Sequence, residues 1–205
     1  MNNQALSSKK AQIFQISTQL FRKKGYTGTS MQDIAGAMGI KPASLYNHIN
    51  SKQEILIELL LHGAGLFVDG MNEIRASQLT DLQKLERLIA LHLRITVDNT
   101  DLMALIAVEW RHLEGDGMRE YLKLRNAYEN DFRIILKDAM DAGQIHQMDV
   151  EIAFFSILTT LKWFYSWYDK HSNFNSIFKP IITKILPFVQ AIYIKIMIEI
   201  VEFFL

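Results

Sequence analysis

The sequence predicts an all-helical protein, with a small three-helix domain at the N-terminus and a larger helical bundle behind it. Three observations carry this. The 205 residues include only 3 Pro and 10 Gly, and strand-like alternation is nearly absent. Apolar residues make up 49% of the chain, recur at helical spacing, and suffice for a sizeable core. Charge is divided unevenly although Lys+Arg 22 and Asp+Glu 22 cancel. Residues 1–52 hold seven basic residues against Asp33 alone, which leaves 15 basic and 21 acidic residues beyond them. A basic head on an acidic body implies two jobs in one chain.

The elements follow in order. Ser8 is placed to cap a first helix that runs to about Lys24, with Ile13, Phe14, Ile16, Leu20 and Phe21 on one buried face. Gly25 closes it, as a residue tolerant of positive φ. Ser30 and Asp33 form a near capping box for a short helix over 31–38, which stops at Gly39. Pro42, a good first helical residue, opens a third helix that ends near Ile49. Ser51 and Glu54 make a capping box for a fourth, from about Lys52 towards Ser77. Thr80 and Gln83 box the next, which reaches about Asn99, and another spans about Asp101 to Leu113. Gly115-Asp116-Gly117 reads as a turn before a long helix from Met118 to Ala142. Asp149 caps a further helix that is apolar on nearly every face, a pattern that demands burial all round and points to a subunit interface.

The last residues, Ile185 to Leu205, are very apolar. Lys195, Glu199 and Glu202 interrupt them and share one helical stripe, so the segment reads as a helix and not as a membrane span. With Cys 0 there is no disulfide framework, thiolate nucleophile or cysteine zinc site. The polar start lacks an apolar leader segment, so a cytoplasmic protein is expected. Glu109 and His112 have the i,i+3 spacing of a carboxylate-bridged di-metal bundle, but no second Glu-x-x-His pair exists. No metal, cofactor or catalytic constellation is therefore expected. The apolar C-terminal helices would also suit a helical adaptor that binds a protein partner through them.

Residues 29–52 carry the functional signal: TSMQDIAGAMGIKPASLYNHINSK. Two short helices meet at Gly39-Ile40-Lys41, and Ile34, Ala35, Met38, Ile40 and Leu45 can pack the angle between them. That is a helix-turn-helix, whose second helix enters the DNA major groove. The run Gly25, Thr29, Ser30, Asp33, Ile34, Ala35, Gly39, Ile40, Ser44, Leu45, Tyr46, His48, Ile49, Ser51, Lys52, Glu54 resembles the DNA-binding domain of TetR-type (tetracycline-repressor-like) transcriptional regulators. The match covers roughly residues 8–60. Ile49 departs from it conservatively, since Phe is more usual there. The resemblance implies a DNA-binding domain over 1–52, with its motif at about 30–49, and a ligand-binding and dimerisation domain over 53–205. It also implies a ligand-released repressor that binds double-stranded DNA at a palindromic operator as a homodimer.

The site expectations are these. Thr29 and Ser30 hold a phosphate at a helix N-terminus, or simply cap it. Lys41, Pro42, Ala43 and Ser44 open the recognition helix and face base edges. Tyr46, Asn47 and His48 reach the flanking backbone, and Lys52 clamps a phosphate. The Arg22-Lys23-Lys24 cluster adds field from a solvated face. In the body, Glu109-Trp110-Arg111, Arg119, Tyr121, Arg125, Gly143-Gln144-Ile145, Asp149, Trp163 and Trp167-Tyr168 are similar to the branch that senses acyl-CoA thioesters. That looser resemblance implies a small apolar ligand lined by Trp110, Arg125, Tyr128, Trp163 and Trp167. Beyond Tyr168 the isoleucine-rich tail departs from that branch. The dimer is expected to form through helices within 149–168 and 176–204.

Overall fold

The computed structural model describes residues 2–170, with side chains over 9–166; the calls on the isoleucine-rich tail and on dimer helices within 176–204 lie outside the described residues. Among the described residues eight α-helices follow one another: α1 Asn2–Lys24, α2 Met31–Ala37, α3 Pro42–Tyr46, α4 Lys52–Ala76, α5 Asp81–Asp98, α6 Thr100–Val108, α7 Gly115–Asp141 and α8 Val150–Lys170. A 3₁₀ turn, Glu109–His112, continues α6. There is no strand among the described residues. No described helix is long and apolar enough to cross a membrane.

Helix α4 organises the molecule. Its first half packs into a core that holds Ile13 and Phe21 of α1, Ile34 and Ala35 of α2, and Leu45 of α3. The same core runs on to Leu102 and Leu105 of α6 and Tyr121 of α7. Further along, Met71 of α4 joins a second core with Leu88 of α5, Phe132 and Leu136 of α7, and Phe154 and Ile157 of α8. One helix thus belongs to both ends of the protein.

Most expected boundaries hold. Helix α3, expected to end near Ile49, stops at Tyr46, and four further expectations fail. Ser8 lies inside α1 instead of capping it, because Gln4, Ala5 and Leu6 are good helix formers that carry the helix back to Asn2. The Ser51–Glu54 box is half-formed: the Ser51 side chain accepts from the Glu54 amide, but Glu54 Oε2 turns away to the Asn50 amide, 2.8 Å. The segment Gly115-Asp116-Gly117 is the first turn of α7, not a turn before it. A Cβ on Gly117 would stand 2.5 Å from Ile57 Cγ1, so glycine there lets α7 close onto α4. Finally, the helix expected to reach Leu113 stops at Val108 and tightens into the 3₁₀ turn.

Within a single chain, helix α8 is two-sided. Ala153, Phe154, Ile157, Leu158 and Leu161 enter the core, while Ile152, Phe155 and Trp163 are exposed.

Gly39 sits at φ +67, beyond the C-terminus of α2, with nothing near its missing Cβ. Gly65 lies mid-helix in α4, also with open space around it. The same substitution should therefore act in opposite directions. In urea unfolding, Gly39→Ala should cost about 1–2 kcal/mol through left-handed strain, and Gly65→Ala should gain about 0.8–1 kcal/mol through helix propensity.

Candidate DNA-binding head and body cavity

The head is built by local chemistry. Ser30 caps α2 with both limbs of a capping box: its hydroxyl accepts from the Asp33 amide at 3.1 Å, and Asp33 accepts from the Ser30 amide at 2.8 Å. Lys24 donates to Asp33 at 2.7 Å. These contacts, that of Lys24 first, hold the Asp33 carboxyl well below the usual carboxylate range. After Gly39 the Ile40 amide returns to the Ala35 carbonyl, 3.0 Å, and Lys41 starts α3 in an extended conformation before Pro42. Leu45 and Ile49 are buried beneath. Lys41, Pro42, Ala43, Ser44, Tyr46 and Asn47 form one exposed edge, with His48 half-buried beside it.

Two expected phosphate contacts are engaged inside the protein. Thr29 is buried, and its hydroxyl donates to the Gly25 carbonyl at 2.9 Å, so it closes the α1–α2 loop and does not face outward. Lys52 Nζ donates to the carbonyls of Tyr26 and Thr29, both at 2.7 Å, and lies 4.3 Å from the Tyr26 ring centre. It braces α4 against the same loop instead of standing free as a clamp. The Arg22-Lys23-Lys24 cluster is not wholly solvated either. Arg22 pairs with Asp101 of α6, and Lys24 with Asp33.

Tyr26 is the joint between head and body. Its amide donates to Glu109 Oε1 at 3.3 Å, its hydroxyl donates to Gln53 Oε1 at 2.6 Å, and its ring stacks on His112 at 5.4 Å. Gln53 in turn donates to the His112 carbonyl at 3.1 Å. Burial, with Glu114 nearby, raises the Tyr26 pKa and keeps the hydroxyl a donor. A 3₁₀ turn eclipses residues i and i+3, which places Glu109 beside His112, 3.4 Å apart. The Glu-x-x-His spacing thus serves this joint. Among the described residues, no His/Cys/Asp/Glu group could hold a metal ion.

On the other side of the turn, Trp110 lines a cavity of about 120 Å³ between α4, α5, α6, α7 and α8. Arg125 and Tyr128 line it as well. Trp163 does not: it stands 64% exposed on the outer side of α8, one helical step past the cavity-lining Lys162. The Trp167 side chain is outside those described. Sequence reasoning missed Phe67, His92, Thr96, Glu129 and Lys162, all in the cavity wall. His92 had a signal, since it sits in the apolar stripe of α5 with Leu85, Leu88 and Ile89. It is buried, shares a 2.6 Å hydrogen bond with the Tyr128 hydroxyl, and packs on Phe67. Burial, and next the Lys162 charge, lowers its pKa to about 3; burial pushes Tyr128 far above its ordinary value.

Comparison with known proteins decides what this arrangement is. Residues 13–59 match the family model described as bacterial regulatory proteins, tetR family, and residues 78–171 match the tetracyclin repressor-like C-terminal domain. The chain belongs to the TetR family. It is a DNA-binding transcriptional repressor, in a family of regulatory transcription factors. It is 28% identical over 167 residues to the HTH-type transcriptional repressor KstR2 of Rhodococcus jostii, which spans 79% of this chain and 80% of that one. The solved structure of the TetR family regulator PfmR from Thermus thermophilus is 29% identical, covers 76% of this chain and 85% of its own, and superposes with a TM-score of 0.69. AibR, solved in complex with isovaleryl coenzyme A and operator DNA, covers 77% and 86% with a TM-score of 0.70. At 24% identity that likeness is one of fold.

The depressed pKa of His92 has a consequence for stability. Its pKa is about 3 in the folded protein against about 6.5 unfolded, so the unfolded chain binds the proton more readily. The stability tied to neutral His92 is present above about pH 6.5 and is lost as pH falls towards 3. Urea unfolding between pH 7 and pH 4 should show a shallower loss in His92→Gln than in the unmodified protein.

Proposed function

We propose that residues 1–52 form the DNA-binding head and 53–205 the ligand-binding and dimerisation body of a homodimeric repressor released from a palindromic operator by a small apolar ligand. The exposed edge of α3 supports the assignment of contacts. Lys41, Pro42, Ala43 and Ser44 face base edges, Ser30, Tyr46, Asn47 and His48 meet the flanking backbone, and Thr29 and Lys52 hold the loop that presents them. Two such heads meet successive major grooves about 34–36 Å apart, as two-fold symmetry requires. The exposed Ile152, Phe155 and Trp163 of α8 supply an apolar surface for the second subunit. The chain acts by binding alone, in the cytoplasm, without a cofactor.

The observation that carries the switch is the double allegiance of the 3₁₀ turn. Trp110 forms cavity wall while Glu109 and His112 grip Tyr26 of the head. A ligand that displaces Trp110 moves the grip, and with it the angle of α2 and α3 relative to α4. Only the difference in ligand affinity between the DNA-competent and DNA-incompetent arrangements does this work. The ligand class is an acyl-CoA or another apolar small molecule, and AibR with its isovaleryl coenzyme A illustrates the former. Size favours a compact apolar group, since an engineered cavity of about 150 Å³ takes up benzene and this one is of similar size.

Selection of bound genomic fragments, followed by gel shifts, tests the contacts. Tyr46→Ala should weaken operator and non-operator binding alike, whereas Lys41→Ala or Ser44→Ala should relax base preference at a defined position by about 1–3 kcal/mol. An unchanged preference in both would remove the α3 assignment.

The joint has its own test. His112→Ala combined with Glu109→Gln should leave ligand affinity intact but shrink the ligand's effect on DNA affinity, a coupling of about 1–3 kcal/mol in typical cases. Fluorescence titration and gel shifts on the same preparation separate the two quantities. Full coupling in the double variant would exclude this route.

A further inference from the structure

Most of the cavity wall is apolar, but one edge is charged. Arg125 and Glu129 of α7 and Lys162 of α8 meet there. Glu129 lies among three cations: Arg125 Nε at 3.8 Å, Arg133 at 3.9 Å and Lys162 Nζ at 3.9 Å. None of these three distances is a hydrogen bond. Arg133 is committed elsewhere, to Glu151 through bonds of 2.7 and 3.1 Å, and it covers the Phe154 ring. Arg125 is not so committed. Its Nε is buried without a hydrogen-bond partner, and its guanidinium lies 4.8 Å from the Trp110 ring centre. A buried guanidinium N–H left unpaired is costly, and a planar anion is what its fork geometry suits. Lys162 stands half-exposed at the rim, and its charge adds to burial, the larger cause, in lowering the pKa of His92.

We propose that the ligand of this cavity is an organic anion: a compact apolar body with a carboxylate or phosphate that sits between Arg125 and Lys162. The inference rests on the reading of the cavity as the inducer site. The ligand's acid replaces the loose contacts of Glu129 with hydrogen bonds to Arg125 Nε and Lys162 Nζ. Its apolar body lies against Phe67, Met103 and Ile106. The seat also touches the switch, because the guanidinium that the anion engages is the one that lies over Trp110. A neutral ligand of the same shape fills the apolar wall but adds no charge-assisted hydrogen bond to Arg125 Nε, which has no partner of its own. The anion has two possible sources, a free carboxylic acid or the phosphates of a coenzyme A carrier, and both present the same chemistry to this edge.

The test is calorimetric titration of the full chain with carboxylates of about four to eight carbons, a body size set by the cavity volume. Linear, branched and aromatic members are each paired with their primary amide and coenzyme A thioester, with free coenzyme A alongside. The best anionic member should bind at least about tenfold more tightly than its amide. Arg125→Gln and Lys162→Gln should each reduce that preference while amide affinity stays constant. A free acid that outperforms its thioester assigns the carboxylate. A thioester that outperforms the acid, with free coenzyme A competing, assigns the carrier phosphates. If Arg125→Gln fails to fold by circular dichroism, the half-exposed Lys162 carries the comparison alone. Equal binding of acid, thioester and amide, an undiminished preference in Lys162→Gln, or binding of no member overturns the seat. Gel shifts on the same samples keep the two readings apart. Amides that bind and release DNA as well as the anions do would overturn the seat but leave the inducer reading intact. Anions that bind through Arg125 and Lys162 without releasing DNA would establish the seat and remove the inducer reading.

Discussion

The membership of α4 in two hydrophobic cores is the constraint on which the rest of the structure depends. Leu56 and Leu60 lie in the core shared with α1, α2 and α3, and Met71 lies in the core shared with α5, α7 and α8. Buried side chains pack at crystal-like density and cannot slide independently. A displacement at one end of α4 must therefore be met by repacking at the other or carried by the whole helix. Gly117 tightens this arrangement by letting α7 close on Ile57.

Around that beam, polar groups settle the angle of the head. Lys52 spans from α4 to the α1–α2 loop through two carbonyls, and Tyr26 joins that loop to Gln53 and to the 3₁₀ turn. Each bond is worth about 0.5–1.5 kcal/mol net, so together they are firm enough to define an orientation. Exposed ion pairs such as Lys10–Glu58 add little, typically about 0–1 kcal/mol, but they have a second effect. They pair part of the basic head with acidic partners in α2, α4 and α6, through Lys24–Asp33, Lys10–Glu58 and Arg22–Asp101. The field that steers DNA is thus concentrated on fewer cations than the sequence suggests, with Lys41 at the exposed edge of α3.

The cavity shows the same economy. Aromatic and aliphatic side chains give it shape, while His92 and Tyr128 satisfy one another and remain neutral. Charge appears at a single edge, where the long side chain of Lys162 keeps its head near water while Arg125 turns a buried Nε inward.

The sequence by itself determined most of the helices, the caps of α2 and α5, the helix-turn-helix and the family. These are local signals: Ser30 with Asp33, Thr80 with Gln83, a glycine at positive φ, an apolar stripe at helical period. Tertiary structure decided which polar side chains stay available. Thr29 and Lys52 carry the right chemistry for phosphate, yet carbonyls brought close by the loop before α2 engage them first. Trp110 and Trp163 are equivalent in composition, but only the helix phase of α8 and the tightening of α6 reveal that one lines the cavity and the other faces outward. The Glu109-x-x-His112 spacing is equally silent, because a metal pair and a ring stacked on Tyr26 require the same two residues at the same separation. A side chain's spacing along the chain is fixed by sequence, but its partner comes from a distant segment, and only packing brings that segment within reach.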